Sequence, residues 1–395
     1  MNRPPMSHEL PARAQVVVIG GGVMGASAAY HLAAAGVPDV LLLERDSLAC
    51  GSTSRSAGGV RAQFSDAVNI ALGARSLAAF EQFGASPGAD IDLRQVGYLF
   101  LHTDPATWAC AQEAVALQNS LGVPTRLLSA AQAGRLSPGV CVDDVLGATF
   151  HARDGYCSPE SVVQGYARGA RAHGAVVRCG VEARGIETSG GEITGVVTSV
   201  GTVATHTVVC AAGAWSRVVG GWVGVDLPVE PVRRQILVTE PLPPALLDLY
   251  PESTPMTVDA SAAFYLHREG PGLLLGMSYA GERPGFVDGY GEEWMPTLCE
   301  AMDRRAPALL DAGIAHRWAG YYEVTPDHNA LIGEAQSTSR FLYATGFSGH
   351  GFLQGPAVGE VLRDLYLGRD PVVDVSSLTA RRFEAGRVVR ELNIV

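Results

Sequence analysis

Gly20, Gly22 and Gly25 stand in the order GxGxxG within "VVVIGGGVMGASAAYHLAAAG", and Glu44 follows 19 residues beyond Gly25. That spacing suits the diphosphate and ribose of a dinucleotide. The first glycine lets the chain turn tightly, the second lets backbone approach the diphosphate, and the third lets the helix lie close on the strand. The helix that follows presents unsatisfied N–H groups and a partial positive charge to the anion. A carboxylate about 20 residues further on is placed to hold ribose hydroxyls. An acid there disfavours the extra phosphate of NADP. NAD and FAD are both compatible with the turn.

These residues need a strand, a turn and a helix to position them. Val16–Ile19 is a β-branched run suited to a central parallel strand covered on both faces. A helix is expected over Met24–Ala35, closed by Gly36, and a second strand in "DVLLLERD" carries Glu44. At 206–216, "HTVVCAAGAWS" reads as a strand ending in the small-residue turn Ala212–Gly213. "YATGFSGHGFLQGPAVGEVLRDLYLG" reads as a strand, a loop with Gly346, Gly349 and Gly351, and a helix with Val358, Val361, Leu362 and Leu365 on its apolar face. A glycine-rich loop that opens a helix suits the negative charge developing at the pyrimidine edge of a reduced flavin.

The totals narrow the field. At 395 residues and 47% hydrophobic content, two intimately joined domains are expected. A net charge of −11 argues against nucleic acid as a partner. Val16 to Gly36 has the length of a membrane span, but Gly20, Gly21, Gly22, Gly25 and His31 interrupt it, so no membrane partner is expected. The seven cysteines are scattered without a CxxC, which points to a reducing, cytoplasmic setting and to no metal site. The lead "MNRPPMSHELPARAQ" has no apolar core of a signal peptide.

Three further stretches join these: "GSTSRSAGGVRAQFS" (51–65), "PVRRQILVTEP" (231–241) and "GYYEVTPDHNALIG" (320–333). With "GFSGHGF" (346–352) they resemble the D-amino-acid-oxidase superfamily of flavoenzymes, most nearly its sarcosine-oxidase (β-subunit-like) branch. The resemblance covers nearly the whole chain and implies FAD. It implies an α/β fold, with an FAD-binding Rossmann-like domain of the glutathione-reductase type interleaved with a mixed β-sheet substrate domain. Residues 1–90, 145–225 and 325–395 are expected in the first, and 91–144 and 226–324 in the second. Position by position, it places the cofactor on Gly20, Gly22, Val23, Met24, Gly25, Glu44, Arg45, Gly51, Ser52, Thr53, Ser56, Gly58, Val181, Ala212, Gly213, Trp215, Gly349, His350, Gly351 and Leu353.

The implied activity is oxidation of a C–N bond in an amino acid or a secondary or N-alkyl amine of the sarcosine, proline or D-amino-acid type. Hydride would pass to flavin N5 and leave an imine. O2 or another molecule would accept the electrons, and a homo- or hetero-oligomer is compatible with the branch. Arg61 matches the arginine that grips the substrate carboxylate in amino-acid-oxidising relatives, since a guanidinium offers two parallel hydrogen bonds to a planar anion. Tyr265 matches a pocket tyrosine, His267 shares its side of a strand, and His350 lies in the flavin loop. Arg61, Tyr265, His267 and His350 are therefore the candidate catalytic residues. Tyr321 and Tyr322 are both candidates to face the substrate.

The chain also departs from its relatives. Gly320 and Arg55 stand where members of the superfamily attach FAD through a cysteine or a histidine, so non-covalent FAD is expected. Pro159 stands where a covalent FMN is held in heterotetrameric relatives. Leu353 replaces a second carboxylate-binding cation, Leu274 replaces an oxygen-activating lysine, and the sequence contains no lysine. Two other classes would use the same turn. An NAD-dependent dehydrogenase would lack flavin absorbance, and an FAD-binding subunit of a larger complex would not be bleached by amines.

Overall fold

Val16–Ile19 is buried along its whole length and lies inside a six-stranded sheet. This is a computed structural model, and it describes residues 10–384, 386 and 390–392. The sheet runs Leu331–Glu334, Phe341–Thr345, Val208–Cys210, Val16–Ile19, Val40–Leu43, Val176–Arg178. The last five strands are mutually parallel, and Leu331–Glu334 returns antiparallel at one edge. A parallel sheet must be covered by its crossover helices. Helix Val23–Ala34 does this, packed against Pro159–Ala172 and Gly351–Leu367. Small residues let these helices approach closely: a Cβ on Gly359 would stand 2.1 Å from Ser27 Oγ. The first helix starts one residue before the expected Met24 and ends into Gly36, whose φ of +85° is the left-handed stop a glycine allows.

The second large sheet has eight strands, in the order Ile314–Val324, Glu230–Thr239, Gly272–Met277, Phe264–Glu269, Met256–Asp259, Tyr98–His102, Gly147–His151, Arg126–Leu128. Neighbours are antiparallel except Met256–Asp259 with Tyr98–His102. Strand alternation divides its side chains between two faces. Leu99, Leu237, Leu266 and Leu275 join a core with Trp294 and Leu298. Tyr98, Phe100, Ile236, Met256, Tyr265 and Leu274 form a separate cluster on the other face. Gly147–His151 falls inside the 145–225 stretch expected with the nucleotide fold, yet it pairs in this eight-stranded sheet. Its five residues are all buried against these partners, so the chain leaves the sheet only after His151.

A three-stranded antiparallel sheet (Ala183–Ser189, Glu192–Thr198, Gly201–Ala204) flanks the first sheet, and Gly59–Val60 pairs with Gly155–Tyr156. All seven cysteines are unpaired. Among the described residues no helix is long and apolar enough to cross a membrane.

Candidate functional site

A cleft with about 2080 Å³ of empty space, open to solvent, runs between the carboxyl ends of the six-stranded sheet and the tyrosine-bearing face of the eight-stranded one. Of the cofactor residues expected from the sequence, all but Gly25 line it. Gly25 sits behind the turn, where a Cβ would come within 1.9 Å of Gly20 O. Gly20 itself has φ +112°, and a Cβ there would meet Ala211 O at 2.3 Å. Both glycines are thus required by backbone packing.

The nucleotide end is built largely of backbone. Glu44, at the end of the Val40–Leu43 strand, accepts from Gly21 N–H at 2.7 Å and from Asp46 N–H at 2.9 Å. Val23 N–H donates to Thr53 Oγ1 at 3.2 Å, which ties the 51–58 loop to the helix start. Helices Val23–Ala34 and Gly351–Leu367 both open on the cleft without a side-chain cap. Helices beginning at Ala67, Pro105, Ala130 and Pro159 are capped by Asp66, Asp104, Ser129 and Ser158, while those beginning at Ser216, Pro244 and Met295 also lack a side-chain cap. Uncapped helix starts leave N–H donors and positive potential for an anion. The first would take a diphosphate and the second a flavin's pyrimidine edge. At the outer end, the Arg45 guanidinium lies 4.1 Å from the Trp215 ring centroid, a planar surface suited to a base. These residues fit FAD.

Arg55 and Gly320 turn out to be neighbours. Arg55 Nη1 donates to the Ala319 carbonyl at 3.0 Å, and a Cβ on Gly320 would stand 2.8 Å from Arg55 Cβ.

The other end is built of side chains. Arg61 is buried, donates to the Gln63 carbonyl, and lies 4.2 Å over the Phe64 ring and 5.4 Å over Phe100. A buried network holds its segment. Gln63 Nε2 donates to the Tyr98 carbonyl at 2.9 Å and to Asp154 at 3.2 Å, while Asp154 accepts from Ala62 N–H at 3.0 Å. Tyr98, Tyr265 and Tyr322 line the cleft, and burial raises all three phenols, so they stay protonated donors. Tyr322 also fills the space beside Gly349, where a Cβ would stand 2.4 Å from its ring. Tyr321 lies nearer the rim and donates to the Val287 carbonyl at 2.8 Å.

His350 lines the cleft, and burial followed by the Arg61 charge lowers its pKa to about 4. The neutral ring faces the His328 carbonyl through Nε2 at 3.1 Å. His267 is not brought to the cleft. Its ring stacks on Tyr156 with centroids 4.2 Å apart, and its nitrogens face the Arg268 and Ala57 carbonyls at 2.7 and 3.0 Å. Burial lowers its pKa to about 4, so the neutral ring donates to only one of them. The physical reason is crowding: the Tyr156 ring and the Ala57 carbonyl hold the imidazole away from the opening.

Sequence reading missed Arg234, Glu323 and Tyr98 as cleft residues. Arg234 carried a signal, since in "RRQILV" it alternates with Ile236 and Val238 on an otherwise apolar face. Glu323 accepts from Thr345 Oγ1 at 2.7 Å and Gly346 N–H at 3.0 Å, and burial pushes its pKa up.

The model of the FAD dependent oxidoreductase family, DAO, matches residues 15–365. Dimethylglycine dehydrogenase of Rattus norvegicus mitochondria is 29% identical over 397 residues, covering 96% of this chain, which spans only 46% of that protein. The FAD-dependent oxidoreductase domain-containing protein 1 of Xenopus laevis is 31% identical, covering 98% of this chain and 85% of its own length. Among solved structures, L-proline dehydrogenase from P. horikoshii superimposes with a TM-score of 0.89 at 31% identity, over 96% of this chain and 100% of that one.

Proposed function

This chain belongs to the FAD-dependent oxidoreductase family, and from that premise we propose that it oxidises a C–N bond of a carboxylate-bearing amine. Dimethylglycine and proline, named in two of its relatives, are amines of this kind. The observation that carries the reading is Arg61, a buried guanidinium in the wall of a cleft whose other end fits FAD.

When bound, FAD would supply the acceptor for a hydride from the carbon beside nitrogen. The chain's part is positioning. Gly20, Gly22, Glu44 and the start of the Val23–Ala34 helix would hold the nucleotide half, and the start of Gly351–Leu367 the ring end. Arg61 grips the substrate carboxylate, and Tyr98, Tyr265, Ile236 and Met256 wall the cleft and exclude water. The amine binds neutral, so no side chain acts as a strong base, in keeping with the neutral His350. A carboxylate held at one end and a wall at the other restrict the α-carbon to one approach.

FAD is held without a covalent link, because Arg55 and Gly320 offer no nucleophile. Leu274 is buried and apolar where the resemblance places an oxygen-activating lysine, so the acceptor is a molecule other than O2. The free thiols favour a reducing compartment such as the cytoplasm.

Anaerobic mixing of FAD-loaded protein with a panel of secondary amines and amino acids tests the reading. Loss of flavin absorbance with carboxylate-bearing amines, and little loss with their decarboxylated counterparts, is expected. Equal bleaching by both would overturn the carboxylate grip. Reoxidation by oxygen as fast as turnover would overturn the choice of acceptor, and flavin retained on acid-precipitated protein would overturn the non-covalent link.

A further inference from the structure

Beside Arg61, the substrate end of the cleft holds a further guanidinium that this reading leaves without a task. Arg234 stands on the Glu230–Thr239 strand and reaches the same cleft as Ile236. Its Nε donates to Ser278 Oγ at 3.2 Å and its Nη1 to the Arg233 carbonyl at 3.0 Å. Both partners are neutral. Arg233, on the opposite face of the strand, is paired with Glu282 at 3.1 Å and Glu293 at 3.5 Å. Among the described residues no carboxylate lies within ion-pair distance of Arg234. Arg234 is half-buried, and Glu282, held by Arg233, acts on it only from beyond ion-pair distance. A guanidinium keeps its charge there, and its partial desolvation is a cost that an anionic ligand would offset.

Arg61 comes from the other side of the cleft. It flanks Tyr98 and Phe100, and three strands lie between theirs and that of Arg234. Tyr265 stands on the middle strand of those three, and Tyr322 lies within the electrostatic reach of both guanidiniums. Leu353, buried and apolar, occupies the place where the resemblance puts a second cation for the Arg61-bound carboxylate. Arg61 therefore takes that carboxylate by itself, and Arg234 is left for a different acidic group.

We propose that Arg234 is a specificity-determining residue that binds a second carboxylate, so that the preferred substrate is a dicarboxylic amino acid or N-substituted amino acid. This rests on the oxidoreductase reading above. Tyr265 and Tyr322, between the two cations, then flank the carbon that is oxidised.

The test titrates anaerobic FAD-loaded enzyme with sarcosine and with iminodiacetate, which share a secondary amine and differ by one carboxylate. Acetate and malonate serve as ligands that cannot be oxidised, with Kd read from the shift of the flavin spectrum and from thermal denaturation. The unmodified enzyme is expected to bind each diacid more tightly than its monoacid counterpart. Arg234→Met should reduce that preference by about 30-fold or more, the scale of losing one partner of a buried charge pair, and Arg234→Lys should restore part of it. Equal affinity for mono- and diacids in the unmodified enzyme would overturn the proposal without any variant. So would a preference that survives Arg234→Met, and so would an unchanged preference with slowed reoxidation by oxygen, which would assign the charge to oxygen instead. If monoacids bleach the flavin and diacids gain nothing, only this proposal falls. If no carboxylate shifts or bleaches the flavin, the oxidoreductase reading falls with it.

Discussion

The two ends of the cleft are made of different materials. The nucleotide end is shaped by backbone: Gly20 with its positive φ, Gly25 pressed on Gly20 O, and two helix starts without side-chain caps. The substrate end is shaped by side chains from separate strands, with Arg234, Tyr265, Tyr98 and Tyr322 brought together by sheet register. A backbone site tolerates few residue types at fixed spacing, whereas a side-chain site keeps its geometry only while the whole sheet holds. Disturbing the two ends should therefore have unlike consequences.

Acid gives the broadest expected effect. His31 has its pKa lowered to about 3 and His102, His267 and His350 to about 4, in each case chiefly by burial. Between the ordinary value of 6.5 and these values the unfolded chain binds protons that the folded chain does not. Stability is intact above that window and is lost as pH falls through it. Asp66, pushed up to about 6, works the other way and offsets about one histidine, and Glu269 and Glu323, also raised by burial, offset more. A net loss of a few kcal/mol is expected from pH 6.5 to 4.5. Urea unfolding at a series of pH values would show it, and a flat profile would mean that these rings are protonated in the folded state.

Gly25→Ala strikes the backbone end. With its Cβ 1.9 Å from Gly20 O the helix must shift, which should cost about 4 kcal/mol or more and leave purified protein without FAD. Retained flavin would show that this end is less rigidly defined than the glycines suggest. Arg61→Ala strikes the side-chain end and should weaken amino-acid binding by about 2–5 kcal/mol while FAD content changes little. A decarboxylated amine should suffer far less from the same change. Glu44→Gln is the mildest. It keeps the shape beside Gly21 and removes the charge, so FAD affinity should drop by about 1–2 kcal/mol with substrate affinity per bound flavin unaltered. Equilibrium dialysis against FAD would measure it.

The sequence was informative where chemistry depends on spacing. Strand, turn, helix and acid were readable because each glycine answers a local steric demand, and all but Gly25 of the expected nucleotide residues reach the cleft. His267 shows the limit: alternation put it on the side of Tyr265, but Tyr156 and Ala57, distant in sequence, turn it away from the opening. Arg234 shows the converse, a charge whose alternation with Ile236 and Val238 marked its face, while only strand pairing brings that face to the cleft. The membership of Gly147–His151 in the eight-stranded sheet was hidden for the same reason, since its partners lie in Tyr98–His102 and Arg126–Leu128.

The contact between Arg55 and Gly320 makes two positions, 265 residues apart in sequence, answer to one another. A cysteine introduced at Gly320 would bring its Cβ within 2.8 Å of the Arg55 stem and disturb the hydrogen bond to Ala319. Because the obstructing atom is the Cβ itself, only glycine at position 55 would clear that space, at the cost of a single exposed hydrogen bond. The two substitutions are thus epistatic, and their order matters: a lineage that acquires glycine at 55 has an open route to a side chain at 320, while one that starts at 320 meets a barrier.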